Sequence, residues 1–164
     1  QKLSQTATTG RFKSGLADDS KATTKLHTAA HLLLSALRKV LKNNDIIQKG
    51  SNITAERLRL DFSFDRKLED NEIKKIEELV NNQIKKSCEV CKEEMSPQEA
   101  KKQGAVGTFE KKYPSKVSVY KIEDFSKEIC AGPHVKNTCE LGHFKIKKQE
   151  SSSAGVRRIK AVLE

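Results

Sequence analysis

Four side chains suited to hold a metal fall into two pairs far apart in the sequence. His27 and His31 stand four apart in a run that reads as helix. Four residues is just over one helical turn, so both imidazoles leave the same face. Two neutral imidazoles presented this way are half of a tetrahedral zinc site. Cys130 and His134, also four apart, supply a thiol and a third imidazole near the far end. Together they form a His3Cys set, and only a folded domain can join halves separated by about 100 residues. The competing reading is bland: a His pair on an amphipathic helix is often the polar flank of the core stripe. The presence of both pairs, in a chain with four histidines and four cysteines, favours the metal site.

The elements that must position these groups can be read from periodicity. Asp19 or Ser20 caps a helix whose core face is Leu26, Ala30, Leu33, Leu37 and Val40, ending near Asn43 and Asn44. His27, His31 and Leu34 form the adjacent stripe. Gln48, Lys49, Gly50 and Ser51 read as a turn. Leu58, Leu60, Phe62 and Phe64 then alternate with Arg57, Arg59, Asp61 and Ser63, a half-buried strand. Helical spacing returns over 69–86, and a short strand follows over 88–95. Ser96, Pro97 and Glu99 start a brief helix that Gly104 ends. Residues 105–112 read as a connecting loop and 117–122 as a strand. The stretch 128–135 leads through the Cys130/His134 segment, where Gly132 and Pro133 force a turn. Residues 143–147 read as a strand, 149–155 as a Ser-rich loop and 156–163 as a last strand. The expected fold is α+β: a mainly antiparallel sheet with packed helices, and a zinc site between a helix and a late loop. Residues 1–19 read as a linker or lead-in segment, anchored by Phe12 and Leu16, with the domain itself over 20–164.

The chain of 164 residues is 33% charged and 35% hydrophobic, enough for one domain with a core. No apolar run approaches the roughly 20 residues of a membrane span. Four cysteines make no dense disulfide framework, so a reducing, cytoplasmic setting is expected. The formal net charge of +10 points to a polyanionic partner, nucleic acid first. With 5% aromatics and no Trp, base-stacking platforms are disfavoured, and phosphate contacts would carry the affinity.

Several motifs together resemble the editing domain of alanyl-tRNA synthetases and the free-standing alanyl-tRNA trans-editing proteins, a group that includes the threonyl-tRNA synthetase editing domain. They are Gly15-Leu16-Ala17-Asp18, His27-Thr28-Ala29-Ala30-His31, Gln48-Lys49-Gly50-Ser51, Leu58-Arg59-Leu60-Asp61-Phe62-Ser63, Gly104-Ala105, Cys130-Ala131-Gly132-Pro133-His134-Val135 and Gly155-Val156-Arg157-Arg158-Ile159. The resemblance implies a hydrolase that clears Ser-tRNA(Ala) or Gly-tRNA(Ala) at the aminoacyl ester. It puts His27, His31, Cys130 and His134 at zinc-ligand positions, and Gln48, with Cys130, at the editing pocket. Arg157, Arg158 and Lys49 become candidate contacts to the acceptor-end phosphates. The remainder of an alanyl-tRNA synthetase chain is an expected partner, and this stretch alone carries no aminoacylation module. A non-catalytic tRNA-binding module with a structural metal, and a threonyl-type editing domain, are the alternatives.

Two departures stand out. Ala30 replaces the second Thr of the usual HTATH; its place on the core face predicts a structural role, and if that Thr helps distinguish Ser from Ala the departure alters selectivity. Cys139 stands where TGEIG has Gly; that predicts strain if the backbone needs a positive φ, and a thiol near enough to compete for zinc. Cys88 and Cys91 form a CxxC read mainly as ordinary strand residues. His143, Lys85, Lys86, Lys101, Lys102, Lys111 and Lys112 read as solvated.

Overall fold

The computed structural model describes residues 16–18, 20–107 and 112–164. The Phe12 anchor, the Asp19 cap and the Lys111 surface reading lie outside these residues.

The first long element is helix α1, Lys21–Val40. Ser20 caps it, its Oγ accepting the Thr23 N–H at 3.2 Å, a contact that stabilises a helix by about 1 kcal/mol. Two arginine/lysine side chains, Arg38 and Lys39, complement the negative end of the helix dipole. The chain leaves earlier than the asparagines suggested, because Lys42 already takes a left-handed φ of 52°. The one-sided core stripe is also too narrow: every residue from Leu26 to Leu34 is buried. A helix buried all round lies in the middle of its domain.

Strands β1 (Gln48–Ile53), β2 (Leu58–Ser63), β6 (Phe144–Ser153) and β7 (Val156–Leu163) form one antiparallel sheet in the order β1-β2-β7-β6. Alternation in β2 sends Leu58, Leu60 and Phe62 inward, each fully buried. Burying a side chain of this size contributes about 1.5–3 kcal/mol, so this face fixes the register against α1. A second antiparallel sheet, in the order β3-β4-β5, comprises β3 (Val90–Met95), β4 (Val117–Ile122) and β5 (Ser126–Ile129). Helix α2 (Asp70–Lys85) opens with a capping box between Glu69 and Glu72. Its buried Asn81 clamps both backbone groups of Phe144, at 2.9 and 2.8 Å. Helix α3 is Pro97–Lys102, with Gly104 at φ +81° after it. The fold is α+β, with both sheets antiparallel.

Three local readings are corrected. Gln48, Lys49, Gly50 and Ser51 are not a turn but the start of β1, with a bulge between Gln48 and Gly50. Their Gly and Ser mimic turn chemistry, and only pairing with β2 reveals the strand. The supposed Ser-rich loop is strand as far as Ser153; the reversal is confined to Ala154 and Gly155, the latter at φ +73°. The serines are exposed, so they cost the ladder nothing. Before the Cys130 loop, β5 is a strand that the sequence reading did not isolate.

Cys88 is buried in the core ahead of β3, whereas Cys91 is exposed on it, so the CxxC is not a chelating pair. Cys139 sits exposed in a 3-10 turn, Thr138–Leu141. Its φ is not positive, and it is not among the clustered metal-binding groups; neither expected consequence of that departure is present. His143 is exposed just before β6 rather than on it. Among the described residues, no helix is long and apolar enough to cross a membrane.

Candidate metal centre

The cluster is built from α1 and the loop after β5. Ligand atoms of His27, His31, Cys130 and His134 all lie within 4.8 Å of one another. Cys130 Sγ is 3.4 Å from both His27 Nε2 and His134 Nε2. A tetrahedral zinc with ordinary Zn–N and Zn–S bonds requires about 3.6 Å between such ligands, so the spacing already suits the ion. The chemistry of the donor set suits it equally: three imidazoles and a thiol.

The far side of each imidazole is held as well. His27 Nδ1 lies 2.9 Å from the Pro133 carbonyl oxygen, which can only accept, so Nδ1 carries the proton and Nε2 is left as a lone pair. For His134 the argument runs through Thr28. Its hydroxyl donates to the Thr24 carbonyl at 3.3 Å and accepts the Val135 N–H at 3.1 Å. Having one proton to give, it must accept from His134 Nδ1, 2.9 Å away. His31 Nδ1 faces Glu128 Oε2 at 3.5 Å, and neither atom has a hydrogen-bond partner. These outer contacts orient metal-binding imidazoles.

Burial sets the charge state. It lowers His27 to about 4, and His31 and His134 well below their ordinary value, so all three are neutral near pH 7. Glu128, buried, is pushed up to about 8. In the metal-free chain the His31–Glu128 contact is therefore a neutral imidazole beside a protonated carboxyl, not an ion pair. Burial pushes the Cys130 thiol up to about 12, while the Gly132 N–H, 3.4 Å from the sulfur, opposes that shift. The loop can close only on glycine at this position. Gly132 has φ +77°, and a Cβ there would clash with Tyr120 Oη.

A cavity of about 330 Å³ opens over the cluster. His27, His31 and Cys130 form its floor, Gln48, Ser51 and Ile53 of β1 one wall, and Ala30 reaches it from α1. Ala30 thus both packs in the core and faces the cavity, so the structural and the selectivity readings of this departure meet at one residue. Exposed Lys112 and Lys116 flank Tyr113 at the rim. The sequence reading passed over Tyr113 and Lys116, and Lys112, read as solvated, is exposed but also lines the cavity. It also missed Glu128, because Ser126, Lys127 and Glu128 form a continuous polar run that hides the alternation seen in the fold, where Ser126 and Glu128 are buried.

The remaining candidates are elsewhere. Lys49 is exposed at the β1 bulge and does not line the cavity. Arg158 points to the outer face of the sheet, where Asp61 holds its guanidinium through two hydrogen bonds of 2.8 and 3.0 Å. Arg157 points the other way, donating to Gln149 Oε1 at 3.0 Å.

The chain is similar in sequence to proteins already known. The family model described as "Threonyl and Alanyl tRNA synthetase second additional domain" matches residues 117–160, which include Cys130 and His134. Alanine–tRNA ligase of Borrelia garinii subsp. bavariensis is 57% identical over 99% of this chain and 27% of its own length. That of Treponema denticola is 56% identical over 100% of this chain and 27% of its own. Alanine–tRNA ligase of Fervidobacterium nodosum is 50% identical over 87% of this chain and 16% of its own. The chain spans about a quarter of the length of the first of these relatives. Residues 117–160 thus carry the likeness to the threonyl and alanyl tRNA synthetase second additional domain, and the likeness to part of the alanine–tRNA ligases runs through the first helix as well.

Proposed function

We propose that the chain is the editing domain of an alanyl-tRNA synthetase, hydrolysing the ester of Ser-tRNA(Ala) and Gly-tRNA(Ala) in the cytoplasm. The observation that carries this reading is the cavity. It is large enough for an aminoacyl group, floored by the His/Cys cluster and walled by Gln48. Zinc, held by His27, His31, Cys130 and His134, would supply a centre of net single positive charge that draws an electron-rich group of the substrate.

The protein's own contribution is positioning. An aminoacyl ester is intrinsically labile, so orienting it is worth more than strong acid–base groups. The Gln48 amide is tethered only loosely, its Nε2 lying 3.4 Å from Ser51 Oγ. It is therefore available to a seryl hydroxyl or to water. Alanine would leave that polar group unpaired, which is the basis for sparing Ala-tRNA(Ala). Glycine lacks the hydroxyl too and would be admitted by size. The acceptor end of tRNA(Ala) reaches the cavity past Lys112 and Lys116.

One observation favours a second reading. All four protein ligands converge at once, as in closed structural zinc sites. On that reading the metal cements α1 to the Cys130 loop, and the domain binds tRNA without cutting it. Deacylation by Cys130→Ala and Gln48→Ala variants separates the two. The editing reading expects Gln48→Ala to lose activity while keeping its metal; full activity in both variants would sink the proposed site.

A further inference from the structure

The four-stranded sheet has a second face, turned away from α1 and the cavity. Cross-strand pairing places Asn52, Arg59, Lys160 and Lys148 side by side across β1, β2, β7 and β6. Three of these four neighbours are cations on adjacent strands, about 4.8 Å apart. Like charges directly opposite one another destabilise a sheet. The same face carries Arg158 and Lys145, and its carboxylates are Asp61 and Glu150.

Those carboxylates do not balance the row. Asp61 is taken up by Arg158. Glu150 is shared among Lys148 at 3.2 Å, Lys160 at 3.5 Å and Arg158 at 3.9 Å. Among the described residues, the Arg59 side chain has neither hydrogen bond nor ion pair. Lys148 is 60% exposed and Lys160 37%, so the row is open to a partner.

We infer that this outer face is a second RNA-binding surface, on which Arg59, Lys160 and Lys148 hold backbone phosphates of a tRNA at a distance from the reacting end. A polyanion relieves the repulsion that the row carries alone. A row about 10 Å long on a sheet suits a short run of phosphates. The face lacks aromatic side chains among the paired positions, so its contacts are to the backbone and independent of sequence. Exposed Lys49, at the bulge of the edge strand β1, lies on the route from this face round to the cavity. The choice of RNA over other polyanions rests on the proposed reading of the chain as a tRNA-acting domain; the charge argument does not.

The test is binding of unacylated tRNA(Ala) to the 164-residue chain across a salt series. It compares the unaltered protein with Arg59→Gln/Lys148→Gln/Lys160→Gln and with Lys148→Gln alone, whose exposure makes it harmless to folding. The triple variant should bind at least about tenfold more weakly, with a salt slope shallower by about 2 to 3, and the single variant by about 1. Hydrolysis of a seryl ester of adenosine, which reaches only the cavity, should be the same in all three. Unchanged affinity and slope would overturn the inference, as would weaker binding with an unchanged slope, no tRNA binding by the unaltered chain, or polyglutamate competing as well as tRNA. If the ester is cleaved but the slopes are unchanged, the surface is wrong and the editing reading stands. If no protein cleaves the ester but the slopes fall, the surface stands without it.

Discussion

The hydroxyl of Thr28 on α1 lies 2.9 Å from His134 Nδ1, joining residues 106 apart in sequence. Because that hydroxyl also accepts the Val135 N–H, it fixes both the tautomer of one imidazole and the backbone beside it. Thr28→Val keeps the shape and removes the oxygen. Zinc affinity should fall about 10- to 100-fold, the usual cost of losing an outer contact to a metal-binding histidine. The metal-free chain should lose about 1–3 kcal/mol, because a buried N–H is left unpaired. Competition titration and thermal unfolding measure the two effects separately.

Metal binding should be linked to a single proton. His27, His31 and His134 are neutral at pH 6–8, since burial lowers the first to about 4 and the others well below their ordinary value. Cys130, pushed up to about 12, is a thiol throughout that range and must give up its proton to become a ligand. Zinc affinity should therefore rise about tenfold per pH unit from about pH 6 to 8. A flat profile would mean that the thiol does not bind; a slope well above one, approaching four, would mean that the imidazoles carry protons as well.

Gly132→Ala should damage the Cys130 loop. The left-handed backbone penalises any side chain there, and the new Cβ would clash with Tyr120 Oη. The expected cost is about 1–3 kcal/mol in thermal or denaturant unfolding, with weaker metal retention. Adding Tyr120→Phe removes the nearest atom and should recover part of the loss, though not the backbone strain.

Ala30 lines the cavity beside His31. In Ala30→Thr the added hydroxyl would face the bound amino acid and be satisfied by serine but not by alanine. An unpaired buried hydroxyl costs about 1–3 kcal/mol, so Ala-tRNA(Ala) hydrolysis should fall about tenfold relative to Ser-tRNA(Ala). Parallel single-turnover time courses on the two esters give this ratio.

Much of the site was legible because its ligands are local pairs. The spacing of His27 with His31, and of Cys130 with His134, is a matter of one turn or one loop. What holds those groups is not local. The Pro133 carbonyl, the Thr28 hydroxyl and the Glu128 carboxyl meet their imidazoles only after the chain closes over about 100 residues, and no periodicity foretells that. Ala30 was assigned to the core because helical spacing identifies a face; on a helix buried all round, it cannot separate core from cavity wall. The strand at Gln48 was hidden by Gly50 and Ser51, whose turn chemistry is genuine but overridden by pairing with β2. Arg158 looked free because its partner Asp61 is a cross-strand neighbour, set by register rather than by sequence distance.

On the proposed function, the cavity over the His/Cys cluster cuts mischarged tRNA selectively. Single-turnover deacylation of Ser-tRNA(Ala) and Ala-tRNA(Ala), with metal content determined on the same preparation, tests it most directly. Rapid loss of the seryl ester, persistence of the alanyl ester and about one zinc per chain are expected. Zinc at that ratio with both esters decaying at the uncatalysed rate would contradict it.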